Sequence, residues 1–207
     1  MGKFHYPEAV NKVLFLHGWT NRRPEGHWMR MTAATLRTKG HQVWYPQFPA
    51  PETPDPLEWQ ELLRQEANMM DEVEGGEKIA IAHSLGTINW LYGAMNDLFT
   101  KPFDRVLLAA IPDPAMTTQA PGIEGEPFDF SADGLQAAIR HHAKSALAIA
   151  SDNDRWQPSG TGFYNQLKLE TVVVPGAGHF SLDDGWGRWR GLENWVETAN
   201  SQDLMLR

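Results

Sequence analysis

The feature that most constrains the fold of this chain is the alternation of short apolar runs with segments of helical periodicity. Residues 13–16, 79–82 and 106–110 have the length and composition of buried strands. Amphipathic stretches lie between such runs, an order typical of βαβ units, in which parallel strands form the sheet and helices cover it. The sequence therefore predicts an α/β protein with a mostly parallel central sheet flanked by helices on both faces.

The remaining elements follow the same alternation. Segment 112–130 is rich in Pro and Gly and predicts an irregular excursion near the sheet edge. The chain of 207 residues has no repeat and no linker, which predicts a single domain over residues 1–207. Further strands are expected at 42–45, 146–150 and 169–174, and helices at 27–38, 55–75, 85–95, 135–142 and 186–196.

Composition narrows the classes of function. The chain carries 26 acidic and 18 basic side chains, whereas nucleic-acid binding needs clustered positive charge. It has no cysteine, which excludes a disulfide framework, a thiolate zinc site and a catalytic thiol. No stretch is apolar enough for a signal peptide or a membrane span. We expect a cytoplasmic protein with no nucleic-acid or membrane partner, and the oligomeric state stays open.

The segment Ala82-His83-Ser84-Leu85-Gly86 joins an expected strand to an expected helix. This is the nucleophile-elbow pattern, with Ala82 in place of the first Gly. A strained strand-to-helix turn lifts the serine hydroxyl above the sheet edge, and the residues two before and two after it must be small because they come close together. An ordinary helix N-cap serine is the alternative interpretation. We predict that Ser84 is a nucleophile.

A serine nucleophile needs a base, and the base needs an orienting carboxylate. Both follow later strands in the order that the elbow architecture requires. His179, in the Gly-Ala-Gly-His-Phe segment 176–180, is the expected base. Asp152 and Asp154 are both candidates for the acid. We favour Asp154, because Asp152 lies so close to the strand that its side chain still follows the strand's alternation.

The loop after the first strand, His17-Gly18-Trp19, lies where a second oxyanion donor is needed. We expect the backbone N–H groups of Trp19 and Leu85 to form the oxyanion hole. His17 and His83 are expected to shape the loops rather than to act as bases. The side chains expected to line the substrate pocket are Trp28, Phe130 and Trp156, together with Trp19.

No cofactor motif is present. The chain lacks a phosphate-binding G-x-x-x-x-G-K-[ST] loop and an H-E-x-x-H metal motif. Ser181 stands where a dinucleotide fingerprint that begins at Gly176 would need its third Gly. His141 and His142 are expected on opposite sides of a helix, a poor arrangement for a metal ion. We therefore expect no cofactor and no metal.

Taken in chain order, these motifs resemble the small cap-less α/β-hydrolases of the YdeN and retinoblastoma-binding protein 9 group. The resemblance implies an α/β-hydrolase fold without a large lid domain and a serine hydrolase activity, with Ser84 as nucleophile, His179 as base and Asp154 as acid. Arg155 departs from the family, which often has Pro after the acid. The segments that carry the resemblance are 13–19, 26–28, 82–86, 151–154 and 176–180.

The expected reaction is hydrolysis of a small carboxylic ester through an acyl-enzyme. Amide or thioester cleavage stays open, because the same triad chemistry serves every acyl donor. The alternative is a protein-binding module of this fold with incidental or no hydrolysis. The relative from which the group takes its second name is associated with a pocket protein through an L-x-C-x-E motif. A chain without cysteine cannot carry that motif, which favours the enzyme.

Overall fold

The computed structural model describes residues 10–117, 134–160 and 162–207. The strands are β1 (Lys12–Leu16), β2 (Gln42–Trp44), β3 (Lys78–His83), β4 (Phe103–Ala109), β5 (Ala143–Ser151) and β6 (Glu170–Val174). The helices are α1 (Trp28–Thr38), α2 (Pro56–Asp71), α3 (Leu85–Met95), α4 (Pro114–Thr117), α5 (Leu135–His142), α6 (Gly162–Leu167) and α7 (Arg190–Thr198). A 3-10 helix, Ser201–Met205, follows α7.

The strands form one parallel sheet in the order β2-β1-β3-β4-β5-β6. Their carboxyl ends therefore share one edge. From β1 the chain first adds β2 on one side and then crosses to place β3 on the other side, so α1 and α3, which follow β1 and β3, pack on opposite faces of the sheet. Open α/β sheets bind ligands at such a switch point. The predicted α/β class with a parallel sheet is confirmed.

Each face of the sheet is buried under helices. Leu14 and Leu16 belong to a core shared with α2, α3 and α5, whereas Val13 and Phe15 belong to a second core shared with α1 and α7. All four side chains are fully buried. Because successive strand residues point to opposite faces, a strand covered on both sides reads as a continuous apolar run. The predicted helices on both faces are present.

Two helix boundaries illustrate where the sequence pattern holds and where it fails. Asp55 caps α2 as expected, since its Oδ1 accepts hydrogen bonds from the N–H groups of Leu57 (2.8 Å) and Glu58 (3.2 Å). The closing helix, expected to include Trp186 and Trp189, begins only at Arg190. Both tryptophans lie in the preceding loop and are buried in the same core as α7. Apolar periodicity indicates which side chains are buried, and these two tryptophans are buried although they lie outside the helix.

Between β4 and β5 the described residues form only α4 and α5. Within the described ranges, no separate lid domain is inserted there. Most of the excursion expected at 112–130 lies outside the described residues. Of the helices in residues 10–117, 134–160 and 162–207, none is long and apolar enough to cross a membrane.

Candidate active site

The turn between β3 and α3 holds Ser84 in an unusual backbone conformation. Its φ of 53° and ψ of -128° lie in a region that residues other than glycine rarely adopt. Such strain persists only where the surrounding structure imposes it. Here the Ser84 N–H donates to the Ala109 carbonyl at 3.0 Å, and the Thr87 N–H donates to the Ser84 carbonyl at 2.8 Å. The turn is therefore fixed to β4 on one side and to α3 on the other.

Two glycines allow this turn to pack against β1. A Cβ added at Gly86 would collide with the carbonyl oxygens of Leu16 and His17. A Cβ added at Gly18 would lie 2.7 Å from the Cβ of Ser84. Ala82, which replaces the usual first glycine of the elbow, is completely buried in β3, so its methyl group is accommodated. The loop after β1 and the turn after β3 are thus in backbone contact.

The structure brings Ser84, His179 and Asp154 together in one chain of hydrogen bonds. The Nε2 of His179 lies 2.7 Å from the Oγ of Ser84, and its Nδ1 lies 2.8 Å from Oδ2 of Asp154. A carboxylate can only accept, so Nδ1 carries the proton and Nε2 accepts from the serine. The Asp154 side chain has no exposed surface. The imidazole is therefore held in the tautomer that can take the Ser84 proton.

Side chains at the end of β5 and directly after it hold the loop after β6. Three consecutive backbone N–H groups of that loop donate to them: Gly176 to Oδ1 of Asp152 (2.7 Å), Ala177 to Oγ of Ser151 (2.9 Å) and Gly178 to Oδ1 of Asn153 (2.7 Å). Asp152 therefore anchors the loop, and the carboxylate that contacts the His179 ring belongs to Asp154. Sequence reasoning did not assign the anchoring role, although Ser, Asp and Asn are the residues that commonly bond nearby backbone.

Asp184 is a further support that sequence reasoning missed. Its Oδ2 accepts hydrogen bonds from the N–H groups of His179 (2.8 Å) and Ser181 (3.2 Å). Burial alone would raise the pKa of this carboxyl group, but the hydrogen bonds from Ser181 and His179 hold the pKa below its usual range. A single acidic residue in a loop gives no motif by which it could be found.

His83, next to Ser84, binds the backbone of the loop that carries His179. Its Nε2 lies 2.8 Å from the backbone carbonyl of His179, which makes Nε2 the donor. Burial lowers the pKa of this imidazole well below the usual value, and the charge of a protonated His179 would lower it further. His83 is therefore a neutral donor that holds the main chain of His179.

Two more buried histidines lie around the loop after β1. His17 donates from Nδ1 to the Gly18 carbonyl at 2.9 Å and accepts at Nε2 from the Phe48 N–H at 2.8 Å. His27 caps α1, its Nδ1 accepting from the Met29 N–H at 3.2 Å. Burial lowers the pKa of His17 and of His27 to about 4. Both rings are neutral at pH 7, which suits loop-shaping residues.

A cavity of about 270 Å³ opens beside Ser84. Trp19 and Trp156 form part of its wall, with their ring centroids 6.1 Å apart in an edge-to-face contact. The expected pocket residue Phe130 lies outside the described residues. The other lining residues are Gly18, Thr20, Asn21, Pro24, His27, His83, Leu85, Pro112, Thr117, Arg155, His179, Ser181, Leu182 and Asp183.

Trp28 does not line this cavity, contrary to expectation. Its side chain is completely buried on the sheet-facing side of α1, and its Nε1 donates to the Phe180 carbonyl at 2.9 Å. The ring packs edge-to-face against His83 at 5.5 Å and Trp189 at 5.3 Å. Trp28 is thus a core residue beneath the site.

His141 and His142 also differ from expectation. Their rings pack against each other with centroids 4.6 Å apart, rather than lying on opposite sides of α5. They are the last two residues of that helix, and the backbone becomes extended at Ala143. At the helix end, adjacent side chains are no longer held at the angular spacing of a continuing helix.

Comparisons with known proteins agree with the fold. The model of a family described as Serine hydrolase matches residues 13–197. The ydeN gene product of B. subtilis aligns with a TM-score of 0.71 and 19% identity over 91% of this chain and 98% of that one. A YdeN-like hydrolase from Pectobacterium atrosepticum aligns with a TM-score of 0.64 and 19% identity, covering 96% and 94%. The expected resemblance to YdeN and the α/β-hydrolase fold are confirmed.

A more distant structural relative is Est1E from Butyrivibrio proteoclasticus. It aligns with a TM-score of 0.61 and 16% identity, covering 95% of this chain and 89% of that one. No curated protein matches the chain.

The buried histidines predict acid-sensitive stability. In the unfolded chain each imidazole has a pKa near 6.5, whereas the folded state holds the pKa of His17 and His27 at about 4. Below about pH 6.5 the unfolded state binds more protons, so the stabilisation is complete above that pH and is lost as the pH falls towards 4. At pH 5, protonation of each imidazole in the unfolded state should lower the free energy of unfolding by about 2 kcal/mol.

Urea unfolding followed by circular dichroism at pH 7 and pH 5 measures this loss. In His27→Gln the difference between the two pH values should shrink by about 2 kcal/mol, because one of the titrating rings is gone. An equal free energy of unfolding at pH 7 and pH 5 in the unaltered protein would show that these rings are not held neutral by burial.

Proposed function

The chain belongs to the serine hydrolase family, and we propose that it hydrolyses a small carboxylic ester through an acyl-enzyme on Ser84. The observation that carries the proposal is the continuous hydrogen-bond chain from Ser84 through His179 to Asp154, beside a cavity. A serine hydroxyl is a weak nucleophile unless a base within hydrogen-bond reach removes its proton. The distance of 2.7 Å between Oγ and Nε2 meets that condition.

In the proposed reaction, Oγ of Ser84 attacks the ester carbonyl carbon while Nε2 of His179 takes its proton. The backbone N–H groups of Trp19 and Leu85 stabilise the oxyanion of the tetrahedral intermediate. The intermediate collapses with cleavage of the carbon–oxygen bond, and His179 gives its proton to the departing alcohol. His179 then deprotonates a water molecule, which attacks the acyl carbon. As the second tetrahedral intermediate collapses, the bond between that carbon and Oγ breaks, His179 returns the proton to Ser84, and the carboxylic acid leaves.

Asp154 has an electrostatic and orienting role in this proposal. Its buried carboxylate keeps the Nδ1 proton in place and stabilises the imidazolium that forms during each proton transfer. The loop contacts of Asp152 and Asn153 support the proposal, because they fix the loop that carries His179 relative to the loop after β5 that carries Asp154.

The cavity favours a short acyl group. Its volume of about 270 Å³ is just below the usual range of ligand pockets, which begins at about 300 Å³. Trp19 and Trp156 give it an aromatic wall, and Leu182 adds an apolar side chain. Acetate and butyrate esters should therefore be better substrates than palmitate esters.

A fluorophosphonate probe tests whether Ser84 is an activated nucleophile. The probe should label the protein with one equivalent per chain, and Ser84→Ala should abolish labelling. Ser145→Ala is the matched control, because Ser145 is an exposed serine on β5, and it should label like the unaltered protein. Labelling that persists in Ser84→Ala, or its absence where a known serine hydrolase reacts, would overturn the proposal.

Paired asparagine variants test the identity of the acid. Asp154→Asn should lower kcat by roughly four orders of magnitude, as in the worked triad template, because the imidazole is no longer held in the right tautomer. Asp152→Asn should stay close to the unaltered protein, since an asparagine Oδ1 can still accept the Gly176 hydrogen bond. Turnover of a short-chain aryl ester at neutral pH measures both. A large loss of turnover in Asp152→Asn, together with nearly unaltered turnover in Asp154→Asn, would reverse the assignment.

A further inference from the structure

A second cluster of polar side chains lies far from Ser84, where α3 and α5 end. Asp97 follows the end of α3, and His141 and His142 are the last residues of α5. The nucleophile precedes the first turn of α3, so a helix of 11 residues, about 16 Å long, separates the two places. The cluster also lies near the amino end of β5, whereas the site lies at the carboxyl edge of the sheet.

Potential ligand atoms of the three side chains lie close together. Oδ1 of Asp97 lies 3.0 Å from Nε2 of His142 and 3.8 Å from Nε2 of His141. One candidate ligand atom from each residue lies within 4.8 Å of the others. Ligand atoms bound tetrahedrally at 2.0–2.1 Å from an ion are about 3.3 Å apart. The distances from Oδ1 of Asp97 to the two imidazole nitrogens, 3.0 Å and 3.8 Å, lie on either side of that value.

His142 is the buried member of the cluster. The residue is 2% exposed, and its Nε2 has no hydrogen-bond partner among the described residues. Oδ1 of Asp97 lies 3.0 Å from this nitrogen, but the pair does not have the geometry of a hydrogen bond. Ligands that share an ion direct their lone pairs at a common point rather than at each other. A buried imidazole nitrogen without a hydrogen bond, next to a second imidazole and a carboxylate, is a candidate metal ligand.

The carboxyl ends of α3 and α5 lie at the cluster, and helix carboxyl ends favour positive charge. The ammonium group of Lys78 lies near enough to His142 to repel a cation, but it is paired with Asp71 at 2.7 Å. Asp97 is held in the left-handed conformation with φ 53°. Its N–H donates to the Ala94 carbonyl at 3.3 Å, and the following N–H, of Leu98, donates to the Gly93 carbonyl at 2.9 Å. The carboxylate is thus carried on a fixed backbone.

We propose that Asp97, His141 and His142 bind a divalent transition-metal ion such as Zn²⁺. Two imidazoles and one carboxylate suit zinc, copper or nickel, whereas magnesium and calcium prefer oxygen ligands. The side chains of His141 and Asp97 are 73% and 80% exposed, so they can close onto the ion and water can complete its coordination. The ion would join the end of α3 to the end of α5 and stabilise the fold without entering the reaction.

Isothermal titration of EDTA-treated protein with Zn²⁺ tests this site. We expect saturable binding of one Zn²⁺ per chain. The melting temperature should rise by about 5–10 °C when free Zn²⁺ exceeds Kd about 100-fold. The double variant Asp97→Asn with His141→Ala removes two exposed ligands and leaves buried His142 intact, so it should fold. Its affinity should fall by about 100-fold or more, since even supporting residues of metal sites are worth 10–100-fold.

Glu197→Gln is the matched control. His41 likewise has a buried Nε2 without a hydrogen-bond partner, 3.9 Å from Oε1 of Glu197, but among the described residues no second imidazole joins that pair. Zinc binding should be unchanged in Glu197→Gln. Absence of saturable binding in the unaltered protein would overturn the proposal. So would unchanged affinity in the double variant, or an equal loss in Glu197→Gln.

Discussion

The strained backbone at Ser84 is the constraint on which the rest of the site depends. A residue with φ 53° and ψ -128° cannot belong to either the strand before it or the helix after it, so its side chain stands clear of both. The conformation costs free energy, and β1, β4 and α3 impose it through hydrogen bonds and through the close approach of Gly18 and Gly86. The buried sheet therefore supplies the rigidity that a reactive serine requires.

The second requirement is that a histidine from a distant loop meets this serine at hydrogen-bond distance. The parallel sheet brings the two loops to the same region, because all its strands end at the same edge. Side chains that bind backbone then set the exact position of the loop after β6. Ser151 at the end of β5 accepts from its Ala177 N–H, Asp184 accepts from its His179 N–H, and His83 donates to its His179 carbonyl. The ring of His179 is thus positioned by its own main chain as well as by Asp154.

Much of this arrangement follows from the sequence, because it is encoded in periodicity and in short local motifs. The parallel sheet, the helices on both faces and the placement of Ser84 at a strand-to-helix turn depend on residues close together in the chain. Long-range roles are not encoded in this way. Asp184 contacts His179 only because the loop folds back, Trp28 turns out to be core because α1 presents it to the sheet, and His141 meets Asp97 only because two helices end side by side.

The proposed reaction requires that Ser84 is covalently acylated during turnover. The most direct measurement is to mix the protein with p-nitrophenyl butyrate, quench with acid within the first turnovers and map the adduct by peptide mass spectrometry. A butyryl group is expected on the peptide that contains Ser84, and it should disappear as the substrate is exhausted. Steady release of p-nitrophenol with no acylated peptide at any quench time, under conditions that preserve a known acyl-enzyme, would contradict the proposed reaction.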